Sequence, residues 1–351
     1  VVDSALLSRP GSVNNSFATE SAASTIFLKL FANEVLEAFD EYNVMMPLVM
    51  SRTASRQKSA QFPVMGRAAA AGLLPDASAD ITNILQDSAF MNRIKHAEKE
   101  VFVDGPLIAP SLITEFDELR ASYDVRSMHA QELGRGVAEE YDRRALLMVA
   151  NGARSASLIT ATGPDNDRSG IRRIDADFNT NGSSAVATLF DLQRAFDEKF
   201  VPRRDRHVIV SPQAYSNLVQ QTDLLNRDWN QGSNGDFADG TVFRVAGFQI
   251  HVSTHVPGTD LSAGNLSGCL NIYSGGSAPA NANGGGAVVA GHYENTVAVA
   301  FHKSAIASLQ MQGMSVESEY MIEYQSTLVL AKKICGLSWL RPEACAEITT
   351  V

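Results

Sequence analysis

The apolar positions of this chain fall into a few separable rhythms. In FLKLFANEVLEAFDEY at 27–42, Phe27, Leu30, Phe31, Val35, Leu36 and Phe39 recur at three- and four-residue steps. That spacing predicts an amphipathic helix with Thr25 as its N-cap. Residues 1–26 before it are rich in Ser, Ala and Asn and read as an arm without a core of its own. SAQFPVMG at 59–66 reads as extended, with Pro63 confining it to an edge or irregular position. RIKHAEKEVFVDG at 93–105 reads as a second extended segment. Its centre alternates charge at Lys95, Glu98, Lys99 and Glu100, and apolar residues gather only at Val101, Phe102 and Val103. A strand buried on one face should alternate apolar residues. The pair therefore predicts a long projecting hairpin, either a solvated surface feature or an arm that pairs with a neighbouring subunit.

Residues 111–150 give the strongest helical signal, opened by Pro110 and Ser111 with a capping-box pattern at Thr114 and Asp117. Leu112, Phe116, Leu119 and Tyr123 begin an apolar stripe that Leu133, Val137, Tyr141 and Met148 continue. Gly134 and Gly136 interrupt it and suggest a bend or close packing, and Asn151–Gly152 should end it. About 40 residues would make a spine of roughly 60 Å. After a turn-rich stretch at 151–184, a helix is expected at 186–200, a buried strand at 206–212, a helix at 214–225 and a strand pair or bulged strand at 243–253. A Gly/Ser/Asn-rich stretch at 258–286 and strands at 287–301 complete an α/β sub-domain. Residues 316–348 read as strand-rich and should return to pack on the spine.

Composition narrows the class. The 351 residues suggest about two domains. With 45% hydrophobic and 19% charged residues, the chain has the balance of a folded protein rather than a disordered one. No apolar run approaches the ~18 residues of a membrane helix. No basic-then-apolar leader opens the chain, and the start at Val1 reads as trimmed or processed. A net charge of −10 argues against a sequence reader of DNA. Cys269, Cys335 and Cys345 lack CxxC spacing and read as free, buried thiols of a reducing compartment.

No candidate chemistry survives scrutiny. His251 and His255 form HxxxH, but in a strand-like context where residues four apart lie about 13 Å from each other. Asp165, Asp167, Ser169 and Gly170 imitate half a calcium loop, yet position twelve is Ala176 where a glutamate is needed. Gly284–Gly286 lack the GK[ST] of a phosphate cradle, and GxSxG and GxGxxG are absent. Glu139 and Glu140 belong to a solvated helix face. The expectation is a protein without catalytic residues, metal or cofactor.

A set of short strings, in order along most of the chain, resembles the major capsid protein of short-tailed (podovirus-type) bacteriophages. They are FLKLFANEVLEAF at 27–39, KSAQFPVMGRA at 58–68, HAEKEVFVDG at 96–105, SYDVRS at 122–127 and LRPEACAEI at 340–348, with Arg341, Pro342, Glu343 and Ala344 matching a motif near the family's terminus. The resemblance implies a mixed α/β (α+β) tailed-phage capsid fold: an N-terminal arm at 1–56, an extended hairpin loop at 57–106, a peripheral domain with the spine helix at 107–184, an axial domain at 185–315 and a return to the peripheral domain at 316–351. It implies a structural subunit that self-assembles into pentamers and hexamers of an icosahedral virion shell, built in the host bacterial cytoplasm around double-stranded DNA that it does not read. Scaffolding protein and portal during assembly, and a decoration protein, are the implied partners. Candidate inter-subunit contacts are Lys58, Arg67, Arg93, Lys95, Glu98, Lys99 and Glu100. The alternatives are an encapsulin-like compartment of the same fold and, remotely, a hydrolase on the 185–315 sub-domain.

Overall fold

The computed structural model describes residues 34–39, 42–54, 57–66, 96–103, 105–116, 125–159, 168–221, 235–236, 241–242, 244–258, 293 and 295–351. The chain divides into two compact units. One comprises Val1–Val44, Gly105–Asp142 and Gln310–Cys335; the other comprises Met45–Asp104, Arg143–Leu309 and Gly336–Val351. The fold is mixed α/β. Its strands are β1 (Met50–Thr53), β2 (Ser59–Met65), β3 (His96–Phe102), β4 (Leu107–Thr114), β5 (Ile171–Ile174), β6 (Arg206–Val210), β7 (Gly235–Asp236), β8 (Thr241–Val242), β9 (Arg244–Val245), β10 (Phe248–Val252), β11 (Thr296–His302), β12 (Ile306–Met321), β13 (Ser326–Trp339) and β14 (Cys345–Thr349). The helices are α1 (Val125–Arg154), α2 (Gly182–Glu198) and α3 (Pro212–Val219), with a helical segment of the arm at 34–39 and 42. Hydrogen-bonded sheet orders are β1-β12-β13-β4, β5-β14-β11-β6-β10-β9, β2-β3 and β7-β8.

Among the described residues the spine helix spans Val125–Arg154, 30 residues, and runs through Gly152, where the sequence reading ended it; residues 117–124 before it lie outside the described residues. Residues 111–114, expected to open it, belong instead to strand β4, paired antiparallel with β13 from Ser326↔Thr114 to Lys333↔Leu107. Thr114 closes β4 and the next two residues, Glu115 and Phe116, are helical, while Asp117, the other half of the capping-box reading, lies outside the described residues. Pro110 sits opposite Leu330 on an edge strand, where a sheet tolerates a residue without an N–H. Leu112 and Phe116 point largely to solvent, while Leu119 and Tyr123 lie outside the described residues. The second half of the stripe holds: Leu133, Val137, Tyr141 and Met148 are buried.

In the first unit the arm segment seats on α1. Val35, Ala38 and Phe39 are buried, whereas Leu36, expected on the same stripe, is 39% exposed. Phe39 meets Tyr141 edge-on at 6.5 Å between ring centroids. The buried Lys333 ammonium lies 4.0 Å from the Phe39 centroid and 4.3 Å from that of Tyr141. Val44 N–H donates to Asp142 Oδ2 at 2.9 Å and fixes the exit of the arm. Gly134 makes the approach possible: a Cβ there would lie 2.6 Å from the Val35 carbonyl oxygen and 2.8 Å from Ala38 Cβ. At Gly136 a Cβ would meet nothing within 4 Å. Of the two glycines, only the first is required by packing.

The second unit is built on the six-stranded sheet. Every residue of β6, β11 and β14 is buried, as expected for strands covered on both faces. Helix α2 is capped by Asn181, whose side chain accepts from Ser183 N–H, and α3 by Ser211, which accepts from Ala214 N–H with Pro212 in the first turn. Helix α2 starts four residues earlier than expected and α3 ends at Val219 rather than 225. The 243–253 segment is a strand pair, β9 and β10, turned at Ala246 and Gly247, both with positive φ. Glu347 is fully buried; Arg154 clasps both its oxygens at 2.6 Å and Thr296 Oγ1 donates to it as well. The expected strand-rich terminus is present as β12, β13 and β14. Cys335 and Cys345 are buried and form no disulfide, and burial pushes the Cys345 thiol up. Cys269, the 258–286 stretch beyond Gly258, and Asp165 and Asp167 lie outside the described residues.

His251 lies on β10 and His255 in the turn after it, so the two do not share a face. His251 meets His207 of β6 instead, Nε2 to Nδ1 at 3.3 Å. Among the described residues no group of three or more His, Cys, Asp or Glu is placed to hold a metal. Burial, then the neighbouring His251, lowers His207 to about 4, with Asp205 opposing and His302 and Lys303 reinforcing. Burial also lowers His251 and His302.

Two outcomes are expected. Gly134→Ala should destabilise the fold and loosen the arm in hydrogen exchange. Gly136→Ala should leave the arm protected and stabilise by up to about 1 kcal/mol through helix propensity. For pH, His207 stays neutral in the fold while the unfolded chain takes up a proton below about 6.5. Stability should therefore fall as pH drops from about 6.5 to about 4, and denaturant titrations of His207→Gln should show a shallower decline over that window.

Candidate subunit-contact site

The β2–β3 hairpin is the feature the sequence singled out. The strands pair antiparallel from Ser59↔Phe102 to Met65↔His96. Residues directly opposite share a face, so Ala60, Phe62 and Val64 line one side with Val101, Lys99 and Ala97. Ala60, Phe62, Val64 and Val101 are buried. Ala60, Phe62 and Val101 join Ala54, Ala307, Leu309 and Leu340 in one apolar cluster, with Val103 packed against it. The other side carries Gln61, Pro63, Met65, His96, Glu98 and Glu100, all exposed. The hairpin is therefore not a free projection along its described length. Period two is present, with a lysine in one inward position.

Lys99 fits that position because its stem is apolar and only its tip is charged. Its ammonium lies 4.0 Å from the centroid of the Trp339 ring. Burial lowers its pKa from the usual lysine value. Beside Trp339, Gly336 of β13 lets the backbone at the hairpin base come close. A Cβ on Gly336 would lie 2.0 Å from the Phe102 carbonyl oxygen. The base is tied further by Val103 N–H donating to the Lys58 carbonyl at 3.0 Å and Ser59 Oγ donating to Glu100 Oε1 at 2.5 Å. At the other end of β2, Arg168 donates to the Met65 carbonyl and lies 3.8 Å from Glu343. Arg52 stands 5.7 Å over the Phe62 ring and donates to the Gln61 carbonyl at 3.3 Å.

The candidate contact residues thus fall into three groups. Lys58, Glu98 and Glu100 are exposed. Lys99 is turned inward onto Trp339 of its own chain. Arg67, Arg93 and Lys95 lie outside the described residues. Sequence reasoning missed Trp339, Gly336 and Arg52, which seat the hairpin. A Gly–x–x–Trp spacing on a strand was the available signal, but it acquires meaning only once the distant hairpin is placed on it. The 340–348 string also becomes physical. Leu340 belongs to the hairpin cluster, Pro342–Ala344 form a buried turn, and Glu347 is the clasped carboxylate. Glu139 is paired with Arg135 at 2.8 Å on the partly exposed helix face, as a solvated pair would be.

Comparison with known proteins bears on the family and the fold. The family model described as "Gp10A-like: Major capsid protein" matches residues 61–349. The chain is 29% identical to the major capsid protein of Escherichia phage T7 over 338 residues, covering 92% of this chain and 91% of that one. It is 29% identical to the major capsid protein of Enterobacteria phage T3 over 347 residues, covering 94% and 93%. The solved capsid structure of cyanophage P-SCSP1u superimposes with a TM-score of 0.66 at 28% identity, covering 97% of each chain. A match over most of the chain, on the fold just described, settles its kinship: the chain belongs to the Gp10A-like family of phage major capsid proteins.

Proposed function

We propose that this chain is the repeated structural subunit of an icosahedral phage shell enclosing double-stranded DNA, and that it self-associates into hexamers and pentamers. The observation that carries the reading is the family match over residues 61–349, together with a fold shared over 97% of a solved phage capsid chain. On this reading 1–56 is the arm, 57–106 the hairpin loop, 107–184 with 316–351 the peripheral region and 185–315 the axial region. Scaffolding protein and portal would act during assembly, and a decoration protein would bind the finished shell. The net charge of −10 suits a wall that confines DNA without gripping it.

The exposed side of the hairpin supplies the contact. Glu98 and Glu100 would face basic groups of a neighbour, with Lys58, Arg67, Arg93 and Lys95 as the reciprocal set. One exposed pair is worth about 0–1 kcal/mol, and a shell repeats it at every subunit. Weak contacts let a misplaced subunit leave again.

Negative-stain microscopy of the purified protein, with and without a scaffolding partner, should show shells or capsomers; a monomer under every condition would sink the reading. The two sides of the hairpin should separate in mutants. Glu98→Lys with Glu100→Lys should impair assembly at unchanged subunit Tm. Lys99→Glu, which sets a carboxylate against an indole face, should cost about 1 kcal/mol or more of subunit stability in denaturant titrations, and Lys99→Arg should restore most of it. Normal shells from the double glutamate variant would refute the hairpin contact while leaving the shell reading in place.

A further inference from the structure

Helix α2 ends in a backbone conformation that its side chain disfavours. Phe200 N–H donates to the Asp197 carbonyl and Val201 N–H to the Phe196 carbonyl, each at 3.0 Å. This is the Schellman arrangement, which places its C′ residue in the left-handed region and usually puts glycine there. Here the residue is Phe200, with φ of 57°. A bulky residue in that region is strained. Burial of the ring within the subunit does not offset the strain, because Phe200 is 64% exposed. The corner therefore holds a large aromatic side chain outward at a cost to the subunit.

Its surroundings have the make-up of a protein interface. Pro202, Arg203 and Arg204 beside it are exposed. Phe190, on the outer side of α2, is 54% exposed. Arg194 pairs with Asp191 and Glu198, and Arg203 with Asp197. Arg194, Lys199, Arg203, Arg204 and the buried Arg206 stand against Asp191, Asp197, Glu198 and Asp205, an excess of one positive charge. Aromatic and arginine side chains are enriched in interface cores and dominate their energetics. Phosphate binding draws on a cluster of unmatched positive charge, whereas here Arg194, Arg203 and Arg206 are each already held by a carboxylate of the same corner.

We propose that Phe200 is an assembly anchor, held out by a strained helix cap to insert into a second copy of this chain. The inference rests on the shell-subunit reading. A shell built from one kind of chain needs patches that fit another copy of itself, and in a ring each subunit offers one such patch to the next. The strain then has a reason: the subunit gives up some stability to present a ring that becomes buried only in the assembly.

The test uses the full chain with Phe200→Gly and Phe200→Leu. Phe200→Gly removes ring and strain together. Below the assembly concentration its Tm should rise by about 2 °C or more, while the concentration needed for shell formation, followed by light scattering and microscopy, should rise about tenfold or more. Phe200→Leu keeps the strain, so its Tm should stay near that of the unaltered chain, with assembly weakened. A lower Tm for Phe200→Gly would show that the ring stabilises its own subunit and would overturn the proposal. So would normal shell formation by both variants, or normal shells combined with lost retention of a short double-stranded DNA, which would make the corner a nucleic-acid contact. If the unaltered chain forms no shells, the shell-subunit reading fails and this one with it; if it assembles and Phe200→Gly assembles equally well, only this inference falls.

Discussion

Lysine ammonium groups stacked on aromatic rings anchor the two elements that have no core of their own. Lys333 lies over Phe39 and Tyr141, where the arm segment meets the spine helix. Lys99 lies over Trp339, where the hairpin meets the chain. Strand β13 supplies one partner to each contact, Lys333 in the first and Trp339 in the second. Each contact also needs two backbones to come close, and each has a glycine at the point of approach, Gly134 for the arm and Gly336 for the hairpin. Remove the small residue and the ring contact cannot form; remove the ring contact and the glycine is left without purpose.

The same lysines explain why the hairpin was only half legible. Binary reading treats Lys as polar, so HAEKEVF shows charge alternation where the fold has an inward side of Ala97, Lys99 and Val101. The spine was misjudged for a related reason. Leu112 and Phe116 are four apart, which fits a helix, yet LIAPSLIT is a strand because β13, more than two hundred residues later, hydrogen-bonds along it. Pro110 is compatible with a helix start or an edge strand, and local sequence has no means to choose between them. What is local was read correctly: the stripe from Leu133 to Met148, the buried strand expected at 206–212 and found at 206–210, the strand pair expected within 243–253, and the burial of Cys335 and Cys345. Kinship was legible from the short strings taken as an ordered set, each being uninformative alone. The residues that seat the hairpin were not, because Trp339 and Lys99 become partners only through tertiary contact.

The strength of these anchors bears on what the chain does. A cation over an aromatic ring contributes about 0.5–2 kcal/mol depending on desolvation, against about 1.5–3 kcal/mol for fully burying a large apolar side chain. The hairpin has both kinds of contact, but they are distributed unevenly. Its base shares an apolar cluster with Ala307, Leu309 and Leu340, while its outward side carries only polar and charged groups around Pro63 and Met65. The inward side is seated from Val101 at the base to Val64 beside Met65, and the outward side is left for other contacts. On the proposed reading it is that outward side which meets both five-fold and six-fold surroundings.

A strained cap at Phe200 extends the same logic from geometry to energy. Native stability is a small difference between large terms, so strain of a kcal/mol or two is a sizeable share of what one subunit has. An isolated enzyme with its site elsewhere would gain by replacing such a residue with glycine. A subunit whose finished state is the assembly has a different optimum. Its stability is completed by neighbours, and surface held in readiness for them is unfavourable until they arrive. On the proposed reading, the corner around Phe200 and the acidic row at Glu98 and Glu100 would divide the task between them. The first would offer an anchor that sets how tightly subunits hold, the second exposed charges that set which approach is tolerated. A shell that must first correct its errors and then endure needs both kinds of contact, and placing them on separate elements lets each be set without disturbing the other.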